Sequence, residues 1–463
     1  MRAAGPKKTA RRSSGTKCRR SKKSWAKSEA CPCNYHRKSD NFACENVRFV
    51  REATIRHACA HWAASDRIVI MTTEGAFRKN WVGGAHGNGG KPDGPGPKGL
   101  RDCLEELGLR CDVSNVMIPE GKSEEEIWKI FDIVYDCLHP GDEVVFDITH
   151  AFRSIPMLAL VVMGYAKVTK HVTLSRIYYG AFEVLGSPRE AQKIPIEERN
   201  APIFDLTPFA TLLDWTVAID RFAEAGDGRM VNTLARGGLR PILAETRGKD
   251  RDANLLRAIG KNLEMFCAVM ATCRADKISE TGSKLRDLVE ECENAGVLPP
   301  FRPLFERLSE EVREFEGESI GDGLAAAQWC LEHNLVQQSA TILREVVVNH
   351  LLAEASADKN DVKERLAASS AITQAFESMR KQEPSTEEAA FEREVRGRVK
   401  KYLAVCGGHP GLVRIWGELA SLRNDLNHAG YVHDPRAPKT FLKGLPKVLD
   451  AVREEISRGL QGS

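Results

Sequence analysis

Between residues 66 and 183, short apolar runs alternate with longer stretches of helical spacing. DRIVIMTT, VSNVMIP, EVVFDI and VTLSRIYYG are brief runs of strand length rich in β-branched residues. RDCLEELG and SEEEIWKIFDIVYDCL place apolar residues three and four apart, and SIPMLALVVMGYAK is apolar all round, as a buried helix is. Strand, helix, strand at this spacing predicts a Rossmann-like, doubly wound parallel sheet over residues 66–204. From about Asp205 the strand pattern stops. DLTPFATLLDWTVAIDRFAEA, SKLRDLVEECENAG, AAAQWCLEHNLVQQSATILREVVVNHLL and IWGELASLRNDLNHAG all carry helical periodicity, so residues 205–463 read as an all-helical domain. Its weakest part, residues 356–392, is polar and interrupted and predicts a loop with short helices. The fold class is therefore α/β plus all-α.

Composition changes the picture chiefly at the N-terminus. The net charge of the 463 residues is only +3, yet the first forty hold thirteen Lys or Arg against two acidic residues. Residues 1–65 thus read as a basic, disordered extension. A start codon assigned too far upstream, or a nonspecific RNA-binding tail, explains the segment as well. Cys18, Cys31, Cys33, Cys44, Cys59, His36 and His57 lie within it, but no CxxC pair is present, and no metal is expected there. Thirteen cysteines scattered without regular spacing are those of a reduced, cytosolic protein. No apolar run follows the basic start and none reaches the length of a membrane span, so a soluble, cytoplasmic protein without a membrane partner is expected. The loop GGAHGNGGKPDGPGPKG, residues 83–99, lacks phosphate-loop spacing, since Pro92 follows Lys91, and reads as a flexible surface insertion.

In GDEVVFDITHAFRSIP an apolar strand runs into Asp147, Thr149, His150, Arg153 and Ser154, just before a helix start marked by Ser154 and Pro156. Donors and a cation beside a helix N-terminus, at the C-terminal end of a parallel strand, suit a phosphate-bearing ligand. Thr72, Thr73 and Asn80 follow another strand end and can line the same crevice. The plainer alternative is that Asp147 and Thr149 cap the turn and Arg153 pairs with a local carboxylate.

The run IPEGKSEEEIWKIFDIVYDCLHPGDEVVFDITHAFRSIPML, within residues 68–183 ending in IYYGAFE, resembles the CRISPR-associated proteins with an Asp-x-Thr-His-Gly motif, which carry a CARF domain (CRISPR-associated Rossmann fold). Ala151 stands where that family has glycine. The resemblance implies a dimer that binds cyclic oligoadenylate across its twofold axis, with tetra-adenylate favoured, and places Thr72, Thr73, Asn80, Asp147, Thr149, His150, Arg153 and Ser154 near the ligand. A symmetric polyanion suits helix N-termini supplied by two identical subunits.

The second polar cluster is LRNDLNHAG, residues 422–430. At about 100° per residue, Ile415, Leu419, Leu422 and Leu426 form one apolar stripe, and Arg423, Asn424, Asn427 and His428 fill the opposite arc. Arg423 and His428 lie about 140° apart and do not share a stripe. Gly417 and Ala420 share the polar arc and are small enough for another helix, such as that of a partner subunit, to approach. Asn424, four residues before His428, can reach and orient its imidazole. Alternatively these are surface residues at a helix end, with Gly430 as the stop signal. The Arg, Asn, three residues, His arrangement in a helical domain resembles the HEPN ribonucleases, named for higher eukaryotes and prokaryotes nucleotide-binding domains. WCLEHNLVQQSATILREVV, residues 329–347, is similar to their preceding helix, and Glu345 and Gln338 are candidate supports.

That resemblance implies metal-independent cleavage of single-stranded RNA, with no cofactor. The chemistry suits the residues. Attack by the RNA's own 2′-hydroxyl needs a proton acceptor, a proton donor for the leaving 5′-oxygen and positive charge beside the phosphorane. His428 supplies proton transfer, Arg423 charge and Asn424 orientation, and two copies of the splayed pair form one composite cleft in a homodimer. Two other readings stay open: a nonenzymatic cyclic-oligoadenylate sensor that recruits a partner or nucleic acid, and a ring nuclease that degrades its own activator.

Overall fold

The computed structural model describes residues 31–83, 98–149, 155–294, 299–380 and 392–461, and divides into two compact units, Met1–Ala210 and Thr211–Ser463. Among the described residues no helix is long and apolar enough to cross a membrane.

The first unit holds strands β1 (Cys33–Arg37), β2 (Phe42–Val47), β3 (Arg67–Thr72), β4 (Asp112–Met117), β5 (Glu143–Asp147), β6 (Thr173–Gly180) and β7 (Asn200–Asp205). Its longer helices are α1 (Val50–Ala58), α2 (Leu100–Glu106), α3 (Glu124–Asp136) and α4 (Ile155–Thr169). The strands expected from the sequence are present, but the sheet is mixed where a parallel one was expected. One sheet runs β2-β1-β7-β6-β5, with β1–β2 and β6–β7 antiparallel and β1–β7 and β5–β6 parallel; β3 and β4 pair separately and in parallel, Arg67 opposite Asp112 through Thr72 opposite Met117.

The antiparallel edge comes from the segment expected to be a disordered extension. From Cys33 onward that expectation is overturned; residues 1–30 lie outside the described residues. Asn41, at φ 55°, turns the chain between β1 and β2, a left-handed conformation that asparagine tolerates better than most residues. Cys33, Tyr35, Cys44, Val47, Val50 and Ala53 then pack with Tyr178, Ala201 and Ile203 in one core. The basic residues around these short runs mask their alternation. The four cysteines Cys31, Cys33, Cys44 and Cys59 are buried free thiols; burial pushes Cys33 up to about 11 and Cys59 up to about 12.

The cleft between β3 and β5 is bridged by side chains. Arg67 at the start of β3 donates to the Cys137 carbonyl at 2.6 Å and pairs with Asp142 ahead of β5. A cavity of about 200 Å3 lies here, lined by β3, β5, α1 and α4. Of the insertion at 83–99, residues 84–97 lie outside the described residues.

The second unit is helical throughout its described residues: α5 (Thr207–Ala225, entering from the first unit), α6 (Arg229–Glu245), α7 (Arg251–Ala271), α8 (Ile278–Asn294), α9 (Arg302–Val312), α10 (Ser319–Glu332), α11 (Val336–Glu354), α12 (Val362–Met379), α13 (Glu392–Gly408), α14 (Pro410–Asn427) and α15 (Pro438–Gln461). A continuous core runs through them, including Phe222, Phe266, Leu343, Val347, Leu412 and Leu449. The periodic segment around residues 325–352 is two helices, because Asn334 at φ 59° breaks it between α10 and α11.

A second correction concerns residues 356–392, expected to be a loop with short helices; residues 381–391 lie outside the described residues. Val362–Met379 forms a single helix, capped by Asp361, whose carboxylate accepts from the amides of Lys363 and Glu364. Its buried stripe is Ala367, Ala368, Ala371 and Ile372, and alanine contributes little to an apolar pattern although it favours helix strongly.

Candidate functional site

In the helical unit the RNDLNH cluster occupies the end of α14. Leu412, Val413, Trp416, Leu419 and Leu422 are buried along one side and hold the helix in the core, each side chain contributing about 1.5–3 kcal/mol of burial. The helix closes after Asn427: His428 is its C-cap, Ala429 and Gly430 have φ of 52° and 81°, and the Gly430 amide donates back to the Asp425 carbonyl at 3.1 Å. Gly430 is thus the stop signal, and the same closure leaves Asn424, Asn427 and His428 exposed together at the helix end.

Arg423 is half-buried, and its Nε is buried with no hydrogen-bond partner. Its neighbours are cationic. Burial pushes the Arg344 guanidinium of α11 below the ordinary arginine value; Glu345 opposes this and Arg423 adds to it. Arg344 also lies 4.9 Å from the Trp416 ring and donates to Ser369 at 2.9 Å. Burial raises the Cys273 thiol, while nearby Arg423 and Arg274 pull it down. Glu345 pairs with Arg365 and sits 3.3 Å from Arg344, so it neutralises the arginines behind Arg423. Gln338 donates to the Ala271 carbonyl at 3.5 Å, a contact at the limit of a hydrogen bond, whereas Gln337 donates to Asn427 at 3.2 Å.

Two expectations about the helix change. Among the described residues the Asn424 amide makes no hydrogen bond to the His428 ring; the two are joined through the backbone, His428 amide to Asn424 carbonyl, at 3.0 Å. Gly417, read as a place where a partner helix can approach, is covered by its own chain: a Cβ there would meet Phe376 Cζ of α12 at 2.0 Å.

The residue of the motif that sequence reasoning left unassigned is Asp425. It is 3% exposed, accepts from the Arg436 amide at 2.8 Å and lies 3.7 Å from the Arg436 guanidinium, which itself donates to Ser421 Oγ at 2.8 Å. Asp425 therefore ties the loop that leaves His428 back onto α14. An aspartate three residues after the buried Leu422 and one before Leu426 was the available signal.

In the first unit, Thr72 ends β3 and Asp147 ends β5. Thr72 is buried and its Oγ1 shares hydrogen bonds with the Asn115 amide of β4 at 3.0 Å. Thr73 caps a short helical turn through the Ala76 amide at 3.4 Å, and Asn80 is exposed beyond it. Asp147 accepts from Thr54 Oγ1 at 2.6 Å and from the Thr149 amide at 2.9 Å; Thr149 Oγ1 accepts from the Gly180 amide at 2.9 Å. Thr72, Asp147 and Thr149 thus have partners inside their own fold, as the plainer alternative for the turn requires. His150, Arg153 and Ser154 lie outside the described residues. Arg51 and Thr54 of α1, which line the cavity with Asp147, were missed because their segment read as a tail. At about 200 Å3 this cavity is smaller than the roughly 300 Å3 at which ligand sites begin.

A mixed-sheet α/β unit followed by a helical unit, with a polar cluster ending a helix of the latter, defines the class. No family model matches the chain. Over 227 residues, 48% of this chain, it is 25% identical to a CRISPR-associated protein of Methanocaldococcus jannaschii, and the match spans 31% of that protein's length. This similarity supports a CRISPR-associated protein.

Proposed function

We propose that the protein is a metal-independent endoribonuclease of type III CRISPR antiviral defence, a cytoplasmic homodimer switched on by cyclic oligoadenylate. The observation that carries the reading is the end of α14: a half-buried arginine with a spare buried donor, set among further arginines, beside exposed Asn424, Asn427 and His428. The α/β unit is the CARF sensor in this reading and the helical unit the HEPN effector. Single-stranded RNA is the substrate. His428 transfers the proton of the attacking 2′-hydroxyl, Asn424 orients the site, and the Arg423 cation stabilises the phosphorane, so products carry a 2′,3′-cyclic phosphate and a 5′-hydroxyl. Two copies face each other, since one helix end splays Arg423 and His428 apart. Activation requires cyclic oligoadenylate to bind the cleavage-competent arrangement more tightly than the resting one.

The test is cleavage of labelled single-stranded RNA with and without cyclic tetra- and hexa-adenylate, in a chelator, for the natural chain and for Arg423→Ala and His428→Ala. Ligand-dependent cleavage lost in both variants supports the reading; unchanged cleavage in both sinks it. Ligand binding without RNA loss identifies a sensor instead, and linear adenylate recovered from the ring identifies a ring nuclease.

A further inference from the structure

A second cluster of chemically capable side chains lies at the other end of α14. His350 and Glu354 are four residues apart on α11 and so share one helix face, one turn above the other. His409 immediately precedes Pro410, the first residue of α14. One ligand-capable atom from each of the three lies within 4.8 Å of the others. The His350 and His409 rings are 5.1 Å apart and nearly perpendicular, at 80°. Two helices from distant parts of the chain thus converge on two imidazoles and a carboxylate.

Three observations separate this arrangement from an incidental contact. His350 is 2% exposed and its Nε2 is buried with no hydrogen-bond partner, a condition that costs about 1–3 kcal/mol unless something binds there. His409 occupies the N-cap position of α14, yet its side chain makes no capping hydrogen bond, so its ring is not spent on the helix. The two glycines before it, Gly407 and Gly408, have open space where a Cβ would stand, leaving room for the His409 backbone to adjust.

We propose that His350, Glu354 and His409 form a Zn2+ site that clamps the C-terminal end of α11 to the start of α14. Ligand atoms at 2.0–2.1 Å around a tetrahedral zinc sit roughly 3.3 Å apart. With all three atoms within 4.8 Å of one another, no separation has to close by more than about 1.5 Å, and the exposed Glu354 side chain has freedom to move. Two imidazoles with one carboxylate suit a borderline ion such as zinc better than Mg2+ or Ca2+, which take oxygen shells. Glu354 lies at the surface, so the fourth position opens to water. Arg423 is fourteen residues beyond His409, about 21 Å along the helix at 1.5 Å per residue, so this ion takes no part in the RNA chemistry proposed above. It fixes the start of the helix whose far end carries that site.

Cysteine thiolates are zinc ligands in general and the chain carries thirteen cysteines, so the test compares variants and reads the ligand type. The full chain is stripped with a chelator, then titrated with Zn2+ against a chromophoric competitor and, separately, with Co2+. The natural chain is expected to bind one equivalent that His409→Ala and Glu354→Gln hold far more weakly, beyond the roughly 10–100-fold lost when only a supporting hydrogen bond to a ligand is removed. Cobalt is expected to give visible d–d bands without the near-ultraviolet thiolate charge-transfer band, and His409→Ala is expected to abolish them. Zinc is also expected to raise the melting temperature of the natural chain but not of His409→Ala, the two melting alike in chelator. Equal zinc stoichiometry and affinity in the natural chain and both variants, or a cobalt spectrum dominated by thiolate, overturns the assignment.

Discussion

Replacing Asp425 with alanine removes the acceptor that holds the loop after α14. Two contributions are lost. The first is the hydrogen bond from the Arg436 amide at 2.8 Å to a carboxylate only 3% exposed, worth about 1.5–3 kcal/mol for a charged acceptor. The second is the ion pair with the Arg436 guanidinium at 3.7 Å, whose side chain is 32% exposed, and this adds no more than about 1 kcal/mol. Together they come to about 2–4 kcal/mol. For a unit of the size of residues 211–463, at about 2–4 °C per kcal/mol, the melting temperature should fall by about 4–16 °C. Asp425→Asn keeps a side-chain oxygen for the Arg436 amide and should lose only about 1 kcal/mol. Calorimetry of the full chain measures the transition, and hydrogen exchange at residues 428–437 locates it. A shift below about 1 °C for Asp425→Ala with unchanged exchange in that loop refutes the reasoning.

Further outcomes follow from contacts elsewhere. Gly417→Ala would put a Cβ 2.0 Å from Phe376 Cζ and should cost about 1–3 kcal/mol in denaturant titrations, with most of it recovered when Phe376→Leu is added. Gly180→Ala meets Val50 Cγ2 at 2.0 Å and should loosen α1 from the sheet, read by faster hydrogen exchange over residues 50–58; exchange unchanged there contradicts the packing. Asp227, held down to about 2 chiefly by its hydrogen bond from Arg229, binds its proton less readily folded than unfolded. Its stabilisation is therefore complete above the ordinary aspartate value of 3.8 and disappears as pH falls towards 2, so Asp227→Asn should flatten the acid limb of a stability–pH curve. Cys59 and Cys330, both pushed up to about 12 by burial, should resist iodoacetamide at pH 8 in the folded chain and react after denaturation.

Much of the candidate site was legible because it depends on local order. The apolar stripe of α14 and the polar arc with Arg423, Asn424 and His428 follow from a 3.6-residue period, and Gly430 as terminator from the chirality of the chain. The role of Asp425 was not legible, since its partner Arg436 lies on the returning loop and nothing local announces the pairing. Nor could the sequence relate Arg344 of α11 to Arg423 of α14, which are brought together only by packing.

The division into an α/β half and a helical half, the strands β3, β4, β5 and β6, and the arc of polar residues at the end of α14 are all written in the order of residues along the chain. These depend on periodicity, which records whether a face is apolar but not what lies against it. Folding was needed to show that β1 and β2 join the sheet and make it mixed, and that an alanine stripe makes α12 a packed helix. It also decided that Phe376, from the same chain, fills the space above Gly417, and that His350, Glu354 and His409, up to 59 residues apart in sequence, share one corner. Those outcomes rest on contacts between residues far apart along the chain, where complementary shape and charge become visible only once both partners are in place.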